Sequence, residues 1–390
     1  MMTLLHDDRT ALRRGQVAVY LLFLLSGMAI GTWTARIPAI RNDLGLGDGQ
    51  LSLGLLGIAA GAITGMQVVG RLVDRFGSVK VMLPMAFAQS AALILPALAP
   101  NLAVLTLALF VFGAVHGTLD VAMNANAVEV ERAAGRSIMS SFHAVFSIGG
   151  FLGAAAGGLL AAIALSPALT FLTVAVAIAG LALWASRWAL TVDGGPAAAG
   201  TDPGPGRAGR GVLLLGVLAF CCMIGEGAAA DWSSVYLHEL SGSDGLAAAA
   251  YAAFSVMMTA GRLAGDRLAA VLGPVVLVRG CGLLAAAGLG TALLVNLPMA
   301  GVIGFACFGA GLSCIVPQVF SAAGRRDPVH AGRSLARVAS LGYAGFLTGP
   351  VLIGGAAEVF GLSRALAIPV LLAFFVALAA SVVRTTSFTK

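Results

Sequence analysis

The side chains able to do chemistry in this 390-residue sequence sit inside its apolar runs. An ionisable group in such a run costs several kcal/mol unless it is paired or wetted, so each one is a candidate for function. His116, Asp120 and Asn124 recur every four residues, a spacing that keeps them on one slowly drifting face of a helix. A carboxyl at Asp120 can take up a proton when its surroundings dry out, because burial penalises the charged form. The alternative is that Asp120 only hydrogen-bonds across a helix contact. Glu226 lies between Gly225 and Gly227, with Asp231 nearby. Each flanking glycine weakens a helix by about 1 kcal/mol, so an interruption is expected there, although a neighbouring helix could also satisfy either acid. Arg36, Thr32, Thr34, Ser313 and Gln318 suit the orienting of a polar solute, or else hydroxyls among them bond local backbone carbonyls. His143 is either a proton relay or an inter-helix hydrogen bond.

The elements that must hold these groups are membrane spans. Hydrophobic residues make up 59% of the chain and charged ones 10%, against about 25% charged in soluble domains. Mean hydropathy is +0.96. A bilayer core of about 30 Å takes roughly 20 apolar residues per helix. Twelve runs qualify, at 17–39, 50–70, 79–99, 102–127, 138–164, 167–189, 212–237, 246–265, 274–296, 299–322, 337–360 and 364–383. The expected fold class is an all-α integral membrane protein of twelve transmembrane helices.

The net charge of +6 then reads as a topology signal rather than a nucleic-acid footprint. With the N-terminus inside, 20 of the 23 Lys and Arg, Arg262 and Arg337 among them, fall on the cytoplasmic side. Only Arg36, Arg41 and Arg364 fall outside. That bias puts both termini in the cytoplasm. The first run is too long for a signal-peptide core and lacks a small-residue cleavage pattern, so it should remain as a helix. Cys221, Cys222, Cys281, Cys307 and Cys314 lie inside runs without metal-ligand spacing, as packing residues. Trp33 and Trp232 fall toward outer helix ends and Trp184 and Trp188 toward an inner end, the pattern of an aromatic belt.

Between the second and third runs stands Gly70-Arg71-Leu72-Val73-Asp74-Arg75-Phe76-Gly77-Ser78-Val79-Lys80, a glycine-anchored turn carrying one acid among three bases. It resembles the signature between helices 2 and 3 of the major facilitator superfamily of transporters. Gly70, Leu72, Asp74, Arg75, Gly77 and Lys80 match, and Ser78 stands where that family has a basic residue. A degenerate copy, Gly261-Arg262-Leu263-Ala264-Gly265-Asp266-Arg267, follows the eighth run. Ala331-Gly332-Arg333-Ser334 precedes the eleventh run as Ala134-Gly135-Arg136-Ser137 precedes the fifth. Paired six-helix halves are how that family is built. The polar stretch 191–211 would divide an N-terminal bundle, 1–190, from a C-terminal bundle, 212–390. The stretches Ala35-Arg36-Ile37-Pro38, Asp120-Val121-Ala122-Met123-Asn124-Ala125, Ser140-Ser141-Phe142-His143, Glu226-Gly227 with Asp231-Trp232-Ser233, and Gly342-Tyr343-Ala344-Gly345-Phe346 are similar to the YbjJ-type bacterial inner-membrane proteins. That group is related to the fucose-permease branch of proton-coupled sugar symporters.

The resemblance implies two pseudo-symmetric six-helix bundles in the bacterial inner membrane, working by alternating access as a transporter and not an enzyme. It implies that helix 4 lines a central cavity, that Asp120 matches a functional carboxylate, and that a broken helix 7 would bear on the solute. It gives Asp74 a role in locking the cytoplasmic side against helix 11, with Arg337 the expected partner. The first helix lacks the acidic partner found in the fucose-permease branch. Under a 196-residue shift Arg36 falls opposite Trp232, so Arg36 and Asp231 are expected to pair at the outer mouth. Gly54, Gly57, Gly61 and Gly65, and Gly342, Gly345, Gly349 and Gly354, are expected to serve packing and sliding between the halves. The expected cargo is a small polar solute, such as a sugar or related metabolite, moved with protons through Asp120 or Glu226. The runner-up is a proton-driven exporter of drugs or secondary metabolites, with Gly349-Pro350 and Gly354-Gly355 as a partial antiporter signature. The expected partners are that solute, protons and the lipid bilayer. No cofactor, metal or nucleic acid is expected, and the protein should be a monomer.

Overall fold

The computed structural model describes residues 2–190 and 207–384. Fourteen helices follow one another among them: α1 (Met2–Asp43), α2 (Asp48–Phe76), α3 (Ser78–Ile94), α4 (Leu102–Ala134), α5 (Met139–Ala162), α6 (Pro167–Ser186), α7 (Arg207–Ser241), α8 (Asp244–Leu272), α9 (Pro274–Val295), α10 (Pro298–Leu312), α11 (Ile315–Arg326), α12 (Ala331–Phe360), α13 (Leu362–Ala365) and α14 (Ala367–Ala379). Local chemistry sets their ends. Asn101, Ser166 and Ser243 accept the amides of Val104, Leu169 and Leu246 as N-caps. Pro167, Pro274 and Pro298 open α6, α9 and α10, where a missing N–H costs nothing. Gly77 and Gly273 separate α2 from α3 and α8 from α9 at φ +85° and +76°, a backbone that favours glycine.

Among the described residues eleven segments are long and apolar enough to cross a membrane, with α10 and α11 counted together as Pro298–Arg326 and α13 onward as Leu362–Val383. The eighth expected span corresponds to α8, a helix of 29 residues. Most of the expected linker, 191–206, lies outside the described residues, and its last residues, Arg207–Gly211, already belong to α7.

By contact the chain divides into two compact units. Unit 1 holds Met1–Gly135, Val145–Asp202 and Pro328–Ala336; unit 2 holds Arg136–Ala144, Pro203–Asp327 and Arg337–Lys390. Thus unit 1 includes the first turn of α12, and unit 2 includes the first turn of α5.

In unit 1, α2 and α4 lie backbone to backbone. A Cβ on Gly57 would lie 2.6 Å from the carbonyl oxygen of Thr106, and one on Gly61 or Gly65 would strike the carbonyls of Phe110 and Ala114. In unit 2, Gly345 and Gly349 of α12 face Phe220 and Ile224 of α7 in the same way. These stripes therefore pack helices within a unit, which corrects the expectation of a sliding surface between halves. Small residues serve here because lipid-facing helices gain by close van der Waals approach. Trp33 departs from the aromatic belt: it is 3% exposed and packs on Phe171, 6.2 Å between ring centres. Trp184 is exposed and meets Trp188 edge-on at 5.3 Å.

Candidate functional site

Asp74 is the third residue before the Gly77 turn that ends α2. Its Oδ1 accepts the amide of Gly332 at 2.9 Å and its Oδ2 accepts Nε of Arg333 at 2.8 Å. Gly332 is the second residue of α12, where backbone N–H groups have no partner within the helix and a negative charge is favoured. Gly70 makes the approach possible, since a Cβ there would lie 2.9 Å from Cα of Arg333. The expected partner Arg337 is not the one used. It lies one turn further along α12 and is exposed, whereas a carboxylate already bound to the Gly332 amide reaches the adjoining side chain.

The degenerate copy of this motif does the same work one turn deeper. Asp266 of α8 accepts the amides of Ser140 and Ser141, at 2.9 and 3.1 Å. Ser140 is the second residue of α5, and a Cβ on Gly265 would lie 2.6 Å from its Oγ. Around the first motif, Arg75 sits 5.1 Å from the ring centre of Phe76, and Lys80 is exposed. Ser78, where the signature's cation is missing, donates to Oε2 of Glu129 at 2.7 Å and accepts Nδ2 of Asn126 at 3.1 Å. Asn126 falls at the end of the fourth expected run, 102–127, and Glu129 just beyond it.

On α4 the structure brings Asp120 and Asn124 together. Nδ2 of Asn124 donates to the Asp120 carbonyl at 2.8 Å and to its Oδ1 at 3.3 Å. Asn124 is fully buried, and its Oδ1 has no partner among the described residues. His116 turns instead toward α1, with Nδ1 3.5 Å from Oγ of Ser26 and its ring stacked on Phe112.

In unit 2 the expected interruption is displaced. α7 runs unbroken from Arg207 to Ser241, and Gly225 and Gly227 serve packing. A Cβ on Gly225 would lie 3.0 Å from Leu312 and Phe308, and one on Gly227 3.2 Å from the Phe346 carbonyl. The break falls instead at Ser313 and Cys314, between α10 and α11. There Oγ of Ser313 donates to the Ala310 carbonyl at 2.6 Å, and Sγ of Cys314 donates to that of Gly261 at 3.4 Å. Gln318, one turn on, is buried with Nε2 lacking a partner among the described residues.

Glu226 is ion-paired. Its Oε1 accepts Nη2 of Arg262 at 3.0 Å, with the two side chains 18% and 10% exposed. Arg262 is therefore not a loop cation. α8 continues to Leu272, which places Arg262 about 15 Å before the helix end at 1.5 Å per residue. The signal was available in Gly273, the next residue able to stop the helix. His143 packs edge-on against Phe320, 5.9 Å between ring centres.

Arg36 is buried, and its Nη2 donates to the Leu165 carbonyl at 2.7 Å in the α5–α6 turn. Asp231 stands exposed on α7. Thr32 donates to the carbonyls of Met28 and Gly153, and Thr34 to that of Ile30. Among the described residues no group of three or more His, Cys, Asp or Glu is placed to hold a metal ion.

The family model described as Major Facilitator Superfamily matches residues 19–334. An uncharacterized MFS-type transporter of Yersinia pestis is 37% identical over 370 residues, 94% of this chain and 95% of that one. The membrane protein MosC of Rhizobium meliloti is 33% identical over 359 residues, 90% and 85% of the two chains. Among solved structures, FucP in its outward conformation superposes with a TM-score of 0.80 at 18% identity, covering 95% of this chain and 98% of its own. The human organic anion transporter MFSD10 gives 0.73 at 16% identity, covering 95% and 99%.

Proposed function

The chain belongs to the Major Facilitator Superfamily, and we propose that it is a proton-coupled secondary transporter of a small polar solute, with Asp120 as the proton-carrying group. The family and the relatives support a multi-pass membrane transporter. The coupling rests on one contrast between two half-buried acids, Asp120 and Glu226. Glu226 is matched by the guanidinium of Arg262, so its charge has a fixed partner. Among the described residues Asp120 has only the amide of Asn124 within hydrogen-bond distance of its carboxylate. A carboxylate in a span without a cation is stable when wetted or protonated, and exchange between those two conditions is what coupling to a proton requires.

In unit 1, Asn124, with an orphaned buried Oδ1 beside Asp120, is the polar group we assign to the solute. A structural neighbour described as the fucose:proton symporter of E. coli, in a FucP structure with a TM-score of 0.75 and 18% identity, agrees with a sugar-like solute. The cation bias of the sequence favours the cytoplasmic membrane with both termini inside, and a monomer suffices for the two units.

The test is reconstitution. A ligand at about 100 times its dissociation constant adds about 2.7 kcal/mol to stability, so a thermal-shift screen of polar metabolites on the purified protein finds the cargo. Proteoliposomes should then accumulate it under an imposed proton gradient and alkalinise the side it leaves. Uptake indifferent to that gradient would remove the coupling, and solute movement only against the proton flow would favour export.

A further inference from the structure

α9 and α14 carry a single charged residue between them, Arg279, and it stands exposed on an apolar face. Val276 and Leu283, three residues before it and four after, are exposed on the same side of α9. The two helices lie backbone to backbone there. A Cβ on Gly282 would lie 2.7 Å from the Ala373 carbonyl oxygen and 2.8 Å from the Ala377 nitrogen. On α14, Phe374 and Leu378, next to the two alanines that face α9, are exposed as well. Nε of Arg279 donates to the Ala377 carbonyl at 3.4 Å, one of the last carbonyls of α14, which find no N–H within the helix. That bond ties the side chain to the α9–α14 seam and leaves the two terminal nitrogens without an acceptor among the described residues.

The depth of this charge follows from the helix. α9 has 22 residues, about 33 Å of rise, which matches a hydrocarbon core of about 30 Å. Arg279 comes five residues after Pro274, the first of α9, or about 7.5 Å in. Helix side chains lean toward the N-terminus, here the nearer end, so a long stem at this position lifts its charge to the level of the lipid phosphates. Charged groups on a span are paired as a rule, and a planar guanidinium fork fits phosphate through two parallel N–H bonds. No Asp or Glu occurs in α9, α10, α11, α13 or α14. Asp266 of α8, the acid nearest in sequence, is engaged with the Ser140 and Ser141 amides. The same lack of acids leaves these helices nothing with which to hold a lipid ammonium.

We propose that Arg279 binds the phosphate of an anionic phospholipid at the seam where α9 begins and α14 ends, with an acyl chain lying along Leu283, Phe374 and Leu371. The head group that fits has a phosphate and no amine, as in phosphatidylglycerol. The inference goes beyond the transport reading and needs only that α9 and α14 lie in a bilayer.

The test adds dioleoyl phosphatidylglycerol, phosphatidylethanolamine or phosphatidylcholine to the purified full chain in detergent micelles. Native mass spectrometry reads the first bound lipid, and the thermal unfolding midpoint reads the stabilisation. The native protein should bind phosphatidylglycerol about tenfold more tightly than either zwitterionic lipid, and Arg279→Gln should remove that preference, the scale of one hydrogen bond to a charged group. Arg13→Gln, at an exposed cation of α1, should keep it and controls for diffuse attraction. A preference unchanged by Arg279→Gln would overturn the proposal, and so would equal losses in the two variants. Phosphatidylethanolamine bound as tightly as phosphatidylglycerol would overturn the choice of head group. Inorganic phosphate giving the same stabilisation without lipid would hand the guanidinium to a soluble anion and refute the lipid site. Should Arg279→Gln not fold, Gly280→Leu takes its place, since no atom lies within 4 Å of a Cβ there and the added side chain crowds the head group. An unaltered preference in that variant would equally sink the site.

Discussion

Oδ2 of Asp74 lies 2.8 Å from Nε of Arg333, while Oδ1 holds the amide of the residue before it, Gly332, at 2.9 Å. One carboxylate thus grips the first turn of α12 through both backbone and side chain. Hydrogen bonds to charged groups are worth about 1.5–3 kcal/mol, and the exposure of Arg333, 35% of its side chain, puts this pair at the low end. Asp74→Asn and Arg333→Ala should each speed amide exchange at Gly332 and Arg333, by a factor corresponding to about 1 kcal/mol. Arg337→Ala should leave those amides unchanged. Equal effects of Arg333→Ala and Arg337→Ala would mean that the loop senses diffuse charge rather than this contact.

The glycine stripe of α2 makes a sharper stability prediction. Any Cβ at Gly61 would strike the Phe110 carbonyl oxygen, whereas at Gly180 of α6 nothing lies within 4 Å. Gly61→Ala should lower the thermal unfolding midpoint, because overpacking a close helix contact costs about 1–3 kcal/mol. Gly180→Ala should be neutral or stabilising, up to the roughly 1 kcal/mol by which alanine exceeds glycine in a helix. A melting series in detergent decides it, and similar losses in both variants would refute the backbone contact.

What the sequence made legible follows from which interactions are local. Apolar runs, glycine stops and N-caps are local, so the helices and the Asp74 turn could be read from the residues themselves. The acid at Asp74 was legible, but its partner was not. Arg333 and Arg337 stand one turn apart on the same helix, and only the three-dimensional approach at Gly70 chooses between them. Glu226 was legible as a buried acid, yet Arg262 was counted with the loop cations because the end of α8 was placed at Gly265 rather than at Gly273. The interruption was assigned to α7 from its glycines, although glycine at 225 and 227 answers to Phe308, Leu312 and Phe346 on other helices. A break at Ser313 and Cys314 has no local signal, since neither residue is a strong helix breaker.

The Glu226–Arg262 pair should show the asymmetry of buried ion pairs. Removing one partner leaves a charge uncompensated and costs about 3–5 kcal/mol when burial is complete. Arg262→Gln alone should therefore destabilise the protein strongly, and so should Glu226→Gln. The double substitution should be milder than Arg262→Gln. A double-mutant cycle on denaturation midpoints measures the coupling, and simple additivity would mean that the pair contributes nothing beyond its two side chains.

Arg36 answers to the α5–α6 turn. Its Nη2 holds the carbonyl of Leu165, next to Ala164, whose φ of +58° is unusual outside glycine. Arg36→Ala should loosen that turn, by about 1–3 kcal/mol if the carbonyl stays buried and unsatisfied, with faster exchange or proteolysis near residues 163–166. Asp231→Ala should leave the turn untouched, and the two substitutions should add within about 0.5 kcal/mol as independent sites do. A coupling well above that value would mean that Arg36 and Asp231 meet, as the pair expected from the sequence requires.

The coupling role of Asp120 can be separated from solute binding. Asn at position 120 keeps the shape and the acceptor oxygen that Nδ2 of Asn124 reaches at 3.3 Å, but it cannot gain or lose a proton. With the cargo identified, Asp120→Asn should abolish accumulation driven by a proton gradient. It should spare much of counterflow exchange, which needs the two-state alternation without net proton movement. Asn124→Ala should behave differently. It removes the amide from Asp120 along with the orphaned Oδ1 assigned to the solute, so binding should weaken in both assays, by about tenfold if one hydrogen bond to a charged or polar ligand group is lost. A variant Asp120→Asn that still accumulates solute against its gradient would take the proton away from α4. Glu226, with its charge then shared among Arg262, solute and proton, would become the coupling group.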